Sequence, residues 1–307
     1  MLLTIMATVT ALTAVTDSYP SLSPDGQQLL FRSNRSGRGA IWIAKADGSE
    51  PRPFYDDPLA GTEPGTPVWS PDGRTIVFGM TPTGATDVNE SDVYTIKADG
   101  TGVKRLTKTA GDDSHPHWSA DGKRIFFNSA RATPDLKADW SRQWIDIYSM
   151  AADGSDVRRH SDCRSVCTYP SPSPDGRHVL HRRVIARSAR NWEQGSAERD
   201  SEVFLTPLDG GAPRNLSNSP AYDGWPTWTP DGQWIIFASN RDGAVATGQL
   251  YRIRPDGSGL SRMTEGGYSH TQPSVSAGGQ AVYVYRSTEA GNTEIGQIAR
   301  IDLGEAK

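Results

Sequence analysis

The sequence predicts an all-β fold: a six-bladed β-propeller of four-stranded antiparallel blades. Three observations carry the prediction. A four-residue turn motif recurs six times along the 307 residues. A short apolar strand follows each copy. A second turn, Asp-Gly, closes the repeat in five of the six units. Self-similarity at a period of forty to fifty-odd residues is the mark of a propeller blade.

The turn motif is Ser23-Pro24-Asp25-Gly26, then Ser70 to Gly73, Ser119 to Gly122, Ser173 to Gly176 and Thr229 to Gly232, with a degenerate copy at Ser276 to Gly279. Its third positions are 25, 72, 121, 175, 231 and 278, so the steps run from 47 to 56 residues. Proline presets φ for the turn, Asp bonds nearby backbone, and Gly takes the left-handed position that a hairpin needs. The second strand of each unit follows as an apolar run: Leu29-Leu30-Phe31, Ile76-Val77-Phe78, Ile125-Phe126-Phe127, Val179-Leu180, Ile235-Ile236-Phe237 and Val282-Tyr283-Val284. Third strands such as Ile41-Trp42-Ile43 and Val93-Tyr94-Thr95-Ile96 precede the Asp-Gly turns at Asp47, Asp99, Asp153, Asp209 and Asp256. Fourth strands such as Val103 to Thr107 and Leu260 to Thr264 come after them. The blades then span about 17–54, 64–107, 113–160, 167–217, 223–264 and 270–303 of a single domain covering 1–307. The sixth unit lacks a fourth strand. Residues 7–13, Ala-Thr-Val-Thr-Ala-Leu-Thr, have that strand's pattern. They are expected to pair with the last blade and close the ring, which would remove an unpaired edge.

Composition agrees. A hydrophobic content of 36% and a mean hydropathy of -0.56 suit many short strands better than one large core. The 31 glycines and 21 prolines supply the turns. With a net charge of -4 and no Lys/Arg block, nucleic acid is not an expected partner. The nearest basic cluster, His181-Arg182-Arg183 with Arg187 and Arg190, runs into Glu193, Glu198 and Asp200 and reads as a solvated loop. No apolar run is long enough to cross a membrane. The first residues lack a basic n-region and read as a strand rather than a signal peptide. Cys163 and Cys167 are too close for a lone zinc site. They form either a small disulfide loop, as in a periplasmic or secreted protein, or two free thiols, as the cytoplasm would keep them.

The units Trp69 to Phe78 and Trp228 to Phe237, with the Asp92-Val-Tyr-Thr-Ile-Lys-Ala-Asp-Gly100 stretch, resemble the repeat of TolB-like propellers, the PD40/WD40-like repeat family. The likeness spans nearly the whole chain and implies the fold, not one activity. The same repeat builds a periplasmic protein that binds partner proteins, oligogalacturonate lyases, and the propellers of prolyl-oligopeptidase-like peptidases. The expectation is a bare propeller, without TolB's additional N-terminal domain or a hydrolase domain. Gly-x-Ser-x-Gly, His-Glu-x-x-His and Gly-x-x-x-x-Gly-Lys motifs are absent, so the resemblance transfers no catalytic residue.

In an up-down blade both tight turns fall on one side of the disc, and the variable connections, longest at 128–145 and 182–201, on the other. Variable loops on a rigid scaffold are the expected binding surface. Each inner strand opens with a residue followed by proline: Tyr19, Thr66, His115, Tyr169, Trp225 and Gln272. These should ring the channel mouth, with Asp17, Asp113, Asp223 and His270 two residues earlier. The ligand-binding candidates are therefore Tyr19, His115, Tyr169, Trp225, Gln272, Asp113, Asp223 and His270. His115, His117, His270 and Asp113 offer a divalent-metal set in the central channel. Trp69, Trp118 and Trp228 are expected to pack between blades. Arg131, Trp140, Arg142, Trp144, Arg182 and Trp192 are loop residues suited to anchoring a ligand. The favoured function is a binding module for a protein or peptide. The alternative is a carbohydrate-active enzyme, lyase or glycoside hydrolase, with His115, His270, Tyr169 and a nearby Arg in the funnel, and hence a saccharide ligand.

Overall fold

The computed structural model describes residues 15–57, 62–82, 90–138, 142–185, 201–242, 248–290 and 293–303, the side chains of 288–295 excepted. The strand proposed at 7–13, and Trp140, Trp192, Arg187 and Arg190, lie outside them.

Six antiparallel sheets follow one another, each with its strands in chain order. The first is Asp17–Leu22, Gln28–Ser33, Ala40–Lys45 and Arg52–Tyr55. The fourth is Cys167–Pro172, His178–Val184, Ser201–Pro207 and Arg214–Asn215. The sixth has three strands, Ser269–Val275, Ala281–Ala290 and Thr293–Asp302. This is a six-bladed propeller. The outermost strands shrink to two residues in four blades, such as Lys104–Arg105, shorter than the five-residue patterns in the sequence suggest. They lie at the rim and have only one neighbouring strand.

The second strands are unbroken apolar runs because both faces are covered. Leu30 joins Ile41, Ile43 and Trp69 between the first and second blades, whereas Leu29 and Phe31 join Ala281 and Tyr283 of the sixth. The first and last blades thus share a hydrophobic cluster. Trp118 packs with Val77 and Val93, and Trp228 with Leu180 and Val203, each against the preceding blade as expected. Hydroxyls further along the blade fix the starts of four third strands. Asp92, Asp146 and Gln249 at the first position of their third strands, and Glu202 at the second of its own, accept from Thr107, Ser161, Thr264 and Ser217, each fifteen residues on.

The repeated turn is built as its residues require. In the first copy the Gly26 amide donates to the Ser23 carbonyl, with Gly26 at φ 72°. The Ser23 hydroxyl donates to Asp25 Oδ1 at 2.5 Å and accepts the Gln28 amide at 2.9 Å. The Ser23 hydroxyl first, and then the Gln27 amide, which donates to Asp25 Oδ1 at 3.0 Å, lower the Asp25 pKa. Both turn types share one side of the disc: beside the Asp47-Gly48 turn the Ala46 amide donates to the Gln27 carbonyl next to the Ser23–Gly26 turn at 3.0 Å, and Ala98 does the same to Arg74 at 2.9 Å.

Two readings of the basic cluster and the cysteines meet the structure here. His181 and Arg182 are not on a solvated loop. The fourth blade's second strand runs on to Val184 and buries both. Alternation along the strand hides this, because a central strand is buried on both faces whatever its polarity. Cys163 and Cys167 are joined as a disulfide.

Candidate functional site

The six residues before proline all have positive φ: Tyr19 52°, Thr66 50°, His115 51°, Tyr169 58°, Trp225 49° and Gln272 54°. At each, the pairing with the second strand slips, as between Ser18 and Ser21 or Thr168 and Ser171. The inner strand therefore does not begin at the ring residue, as the sequence suggests. It begins at Asp17, Asp113 or Asp223, and the ring residue is a bulge two positions in. The bulge turns its side chain out of the pleat and toward the axis. Positive φ in a non-glycine residue costs about 1–3 kcal/mol, and here it recurs in every blade.

All six line one central cavity of about 260 Å³. It continues past each ring residue to the next two positions, including Ser21, Val68, His117, Ser171, Thr227 and Ser274. It thus extends along the inner strands toward the repetitive turns. At ring level the aromatic side chains touch in sequence. Tyr19 and His115 centroids are 6.2 Å apart, His115 and Tyr169 4.4 Å in an edge-on contact, and Tyr169 and Trp225 5.4 Å. Tyr222, on the connection into the fifth blade, extends the arc to Trp225 at 5.2 Å. Tyr19 reaches His115, two blades away, across the small Thr66. Gln272 Oε1 accepts the Tyr19 amide at 2.7 Å and joins the last blade to the first.

His115 is held by a polar chain. Its Nδ1 lies 3.0 Å from Asn128 Oδ1, while Asn128 Nδ2 donates to Ser114 Oγ at 2.9 Å. Ser114 in turn donates to Asp112. An amide oxygen only accepts, so His115 carries its proton on Nδ1 and Nε2 is the free acceptor. Burial pushes the His115 pKa down to about 4, with repulsion from Arg182 adding to it and the Asn128 bond opposing. At the other end of the chain, burial pushes the Asp112 carboxyl up to about 7, the Ser114 bond opposing and the Asp113 charge adding. His117 also lines the cavity, and its Nδ1 bonds the Trp118 carbonyl at 2.9 Å.

The other sequence candidates fall elsewhere. Asp113 and Asp223 do not line the cavity. Each pairs with an arginine eighteen residues on, Arg131 and Arg241, whose Nη2 donates to both carboxylate oxygens at 3.0–3.1 Å. Asp17 pairs with Arg35 at the same spacing, there through both Nε and Nη2. Each guanidinium also lies over two rings of its own blade, Arg131 over Phe127 and Tyr148 at 5.2 and 4.8 Å. Arg131 is therefore a brace inside its blade. The signal sequence reasoning missed is the triplet Ser33-Asn34-Arg35, Ser129-Ala130-Arg131 and Ser239-Asn240-Arg241, set at fixed distance from the acid. His270 is buried away from the cavity with Nδ1 unpartnered, and burial lowers its pKa. His115, His117, His270 and Asp113 are not brought together as metal ligands. Among the described residues the one cluster at ligand spacing is Cys163, Cys167 and His181, where the disulfide takes up both sulfurs. Arg142 is exposed. Trp144 is half-buried, its backbone tied to the Thr133 hydroxyl at 2.9 Å.

Residues 59–198 and 193–306 match the family described as the TolB beta propeller domain. A curated protein of Agrobacterium fabrum, itself uncharacterised, is 25% identical over 188 residues, 54% of this chain and 63% of the relative. An uncharacterised peptidase of Bacillus subtilis is 24% identical over 239 residues, 76% of this chain and 30% of the relative. The chain thus spans less than two thirds of either relative. The crystal structure of TolB from Acinetobacter baumannii superimposes with a TM-score of 0.63 at 18% identity, over 94% of this chain and 61% of that one, a likeness of fold.

Proposed function

The chain belongs to the TolB beta propeller family, and from that premise we propose that it is a binding module that engages a protein or peptide through its channel mouth and the adjoining loop-rich face. One observation carries the reading. Six strained bulges, each disfavoured by about 1–3 kcal/mol, aim their side chains at one axis. Strain repeated at equivalent positions, with aromatic groups on it, suits a rigid recognition surface, since Tyr and Trp give large contact area at small entropic loss. A fold of this kind hosts many functions, so the site rather than the fold supports the proposal. The His115 pKa near 4 speaks against general acid–base work by that residue at neutral pH, which leaves the saccharide-enzyme reading without a poised group at the ring. The Cys163–Cys167 disulfide supports a periplasmic or secreted setting.

The test is affinity capture from an extract of the source cell's envelope fraction. Wild-type protein should retain a partner that a Tyr169→Ala/Trp225→Ala variant loses at unchanged circular dichroism. Equal retention by both, or retention by neither, would overturn the proposal.

A further inference from the structure

Among the described residues Arg182 departs from a recurring pattern of arginine–carboxylate pairs. The arginines beside buried acids are paired: Arg35 with Asp17, Arg105 with Asp92, Arg131 with Asp113, Arg159 with Asp146 and Arg241 with Asp223. Arg182 is more buried than any of these, 3% exposed, and has no carboxylate partner among the described residues. Its Nε and Nη2 make no hydrogen bond. Those two nitrogens form the side-on edge of the guanidinium, the fork that matches the two oxygens of a carboxylate. Thr168 is its direct partner across the strand pair, so both side chains leave the same face of the sheet. The Thr168 hydroxyl is also buried and unpartnered. Three unsatisfied polar groups at one cross-strand position are not an ordinary feature of a native interior.

The surroundings are built as a cradle. The guanidinium lies over the rings of Tyr169 and Tyr222, at 5.9 and 5.0 Å. Tyr222 can lie where it does because the fifth blade has Gly224 there. A Cβ at that position would stand 2.7 Å from the Tyr222 hydroxyl. Tyr169 and Tyr222 both touch Trp225, so the fork sits beside the aromatic arc of the mouth.

We propose that Arg182 and Thr168, which lie behind the aromatic arc and do not themselves line the central cavity, form a carboxylate-binding subsite, Arg182 holding both oxygens of the anion and the Thr168 hydroxyl donating a third hydrogen bond. The inference rests on the binding-module reading and adds the ligand's chemistry: a free carboxylate carried on an apolar or aromatic body. A bound anion would also neutralise Arg182, a buried cation with no carboxylate partner among the described residues.

The probes are benzoate, its uncharged isostere benzamide, and inorganic phosphate, titrated calorimetrically at constant ionic strength. Benzoate should bind saturably, at least tenfold tighter than benzamide and tighter than phosphate, and should raise the wild-type melting temperature where benzamide does not. Arg182→Met should abolish benzoate binding, and Arg182→Lys, which keeps the charge without the fork, should weaken it at least tenfold. The wild-type thermal shift decides the matter even if a variant fails to fold. Equal binding of benzoate and benzamide, an unchanged affinity in Arg182→Met, phosphate binding tighter than benzoate, or no benzoate effect on the wild type would each overturn the carboxylate assignment. Partner capture that still depends on Tyr169 and Trp225 would then show that only the assignment, and not the binding surface, had failed.

Discussion

Replacing Asp223 with Ala tests the brace that repeats through the blades. Asp223 is wholly buried, and only 14% of the Arg241 side chain is exposed. Removing one partner of a buried pair leaves an uncompensated charge, which costs about 3–5 kcal/mol. Arg241 keeps a bond to Ser239 Oγ at 2.9 Å and its place over Phe237 and Tyr251, so the lower end, about 3 kcal/mol, applies. At roughly 2–4 °C per kcal/mol for a domain of this size, the melting temperature should fall by about 6–12 °C. The pair itself is not a strong net stabiliser. Burial raises the Asp223 pKa, and the attraction of Arg241 does not fully reverse it. A group whose folded pKa is raised opposes folding once the pH climbs past it, so removing both charges should cost much less than removing one. Asp223→Leu/Arg241→Met is expected within about 1 kcal/mol of wild type, as replaced buried pairs commonly are. The Asp17→Ala loss should be smaller, because Arg35 is 30% exposed and can regain water. Denaturant melts of the three variants give the comparison. A single variant losing less than about 1 kcal/mol, or a double variant as damaged as the single, would refute this account.

Two further predictions concern the ring and its surroundings. His115, His160 and His181 each have pKa values lowered to about 4, chiefly by burial, so the stability they confer is complete above pH 6.5 and lost as the pH falls toward 4. At pH 5 this amounts to roughly 2 kcal/mol for each of the buried His115 and His181, and to less for the partly exposed His160, whose charge water screens. Asp112 acts oppositely, because its carboxyl is raised to about 7 and acidification relieves it, returning roughly 2–3 kcal/mol. Thermal melts should therefore show a net loss of stability between about pH 7.5 and 5, with His117 and His270, whose pKa values burial also lowers, adding to it, and the loss should be steeper in Asp112→Asn. A flat profile would contradict the buried neutral state of the histidines. Thr66 is β-branched at φ 50°, where Asn is better tolerated. Thr66→Asn should stabilise by about 0.5–1 kcal/mol in denaturant melts, and a destabilised variant would mean that the Thr66 side chain is itself held by packing.

How much was legible in the sequence can be read from particular elements. The turn Ser23 to Gly26 and its copies state their own geometry, because proline, a hydroxyl, a short acid and a glycine satisfy the hairpin within six residues. Local chemistry repeated six times determined blade number, strand order and the positions of the ring residues. The disposition of charge was not local. Asp113 read as a ligand-binding or metal-ligating residue until Arg131 closed on it, and Arg182 read as solvated until its strand was seen covered on both faces. Whether a side chain eighteen residues away, or one on the next blade, supplies a counter-charge depends on how the blades pack. The sequence by itself thus determined the scaffold, since backbone hydrogen bonds and turn preferences act over a few residues. Only the tertiary structure decided which polar groups are spent inside the scaffold and which, like the guanidinium of Arg182, remain unsatisfied, because burial and pairing are properties of neighbours in space.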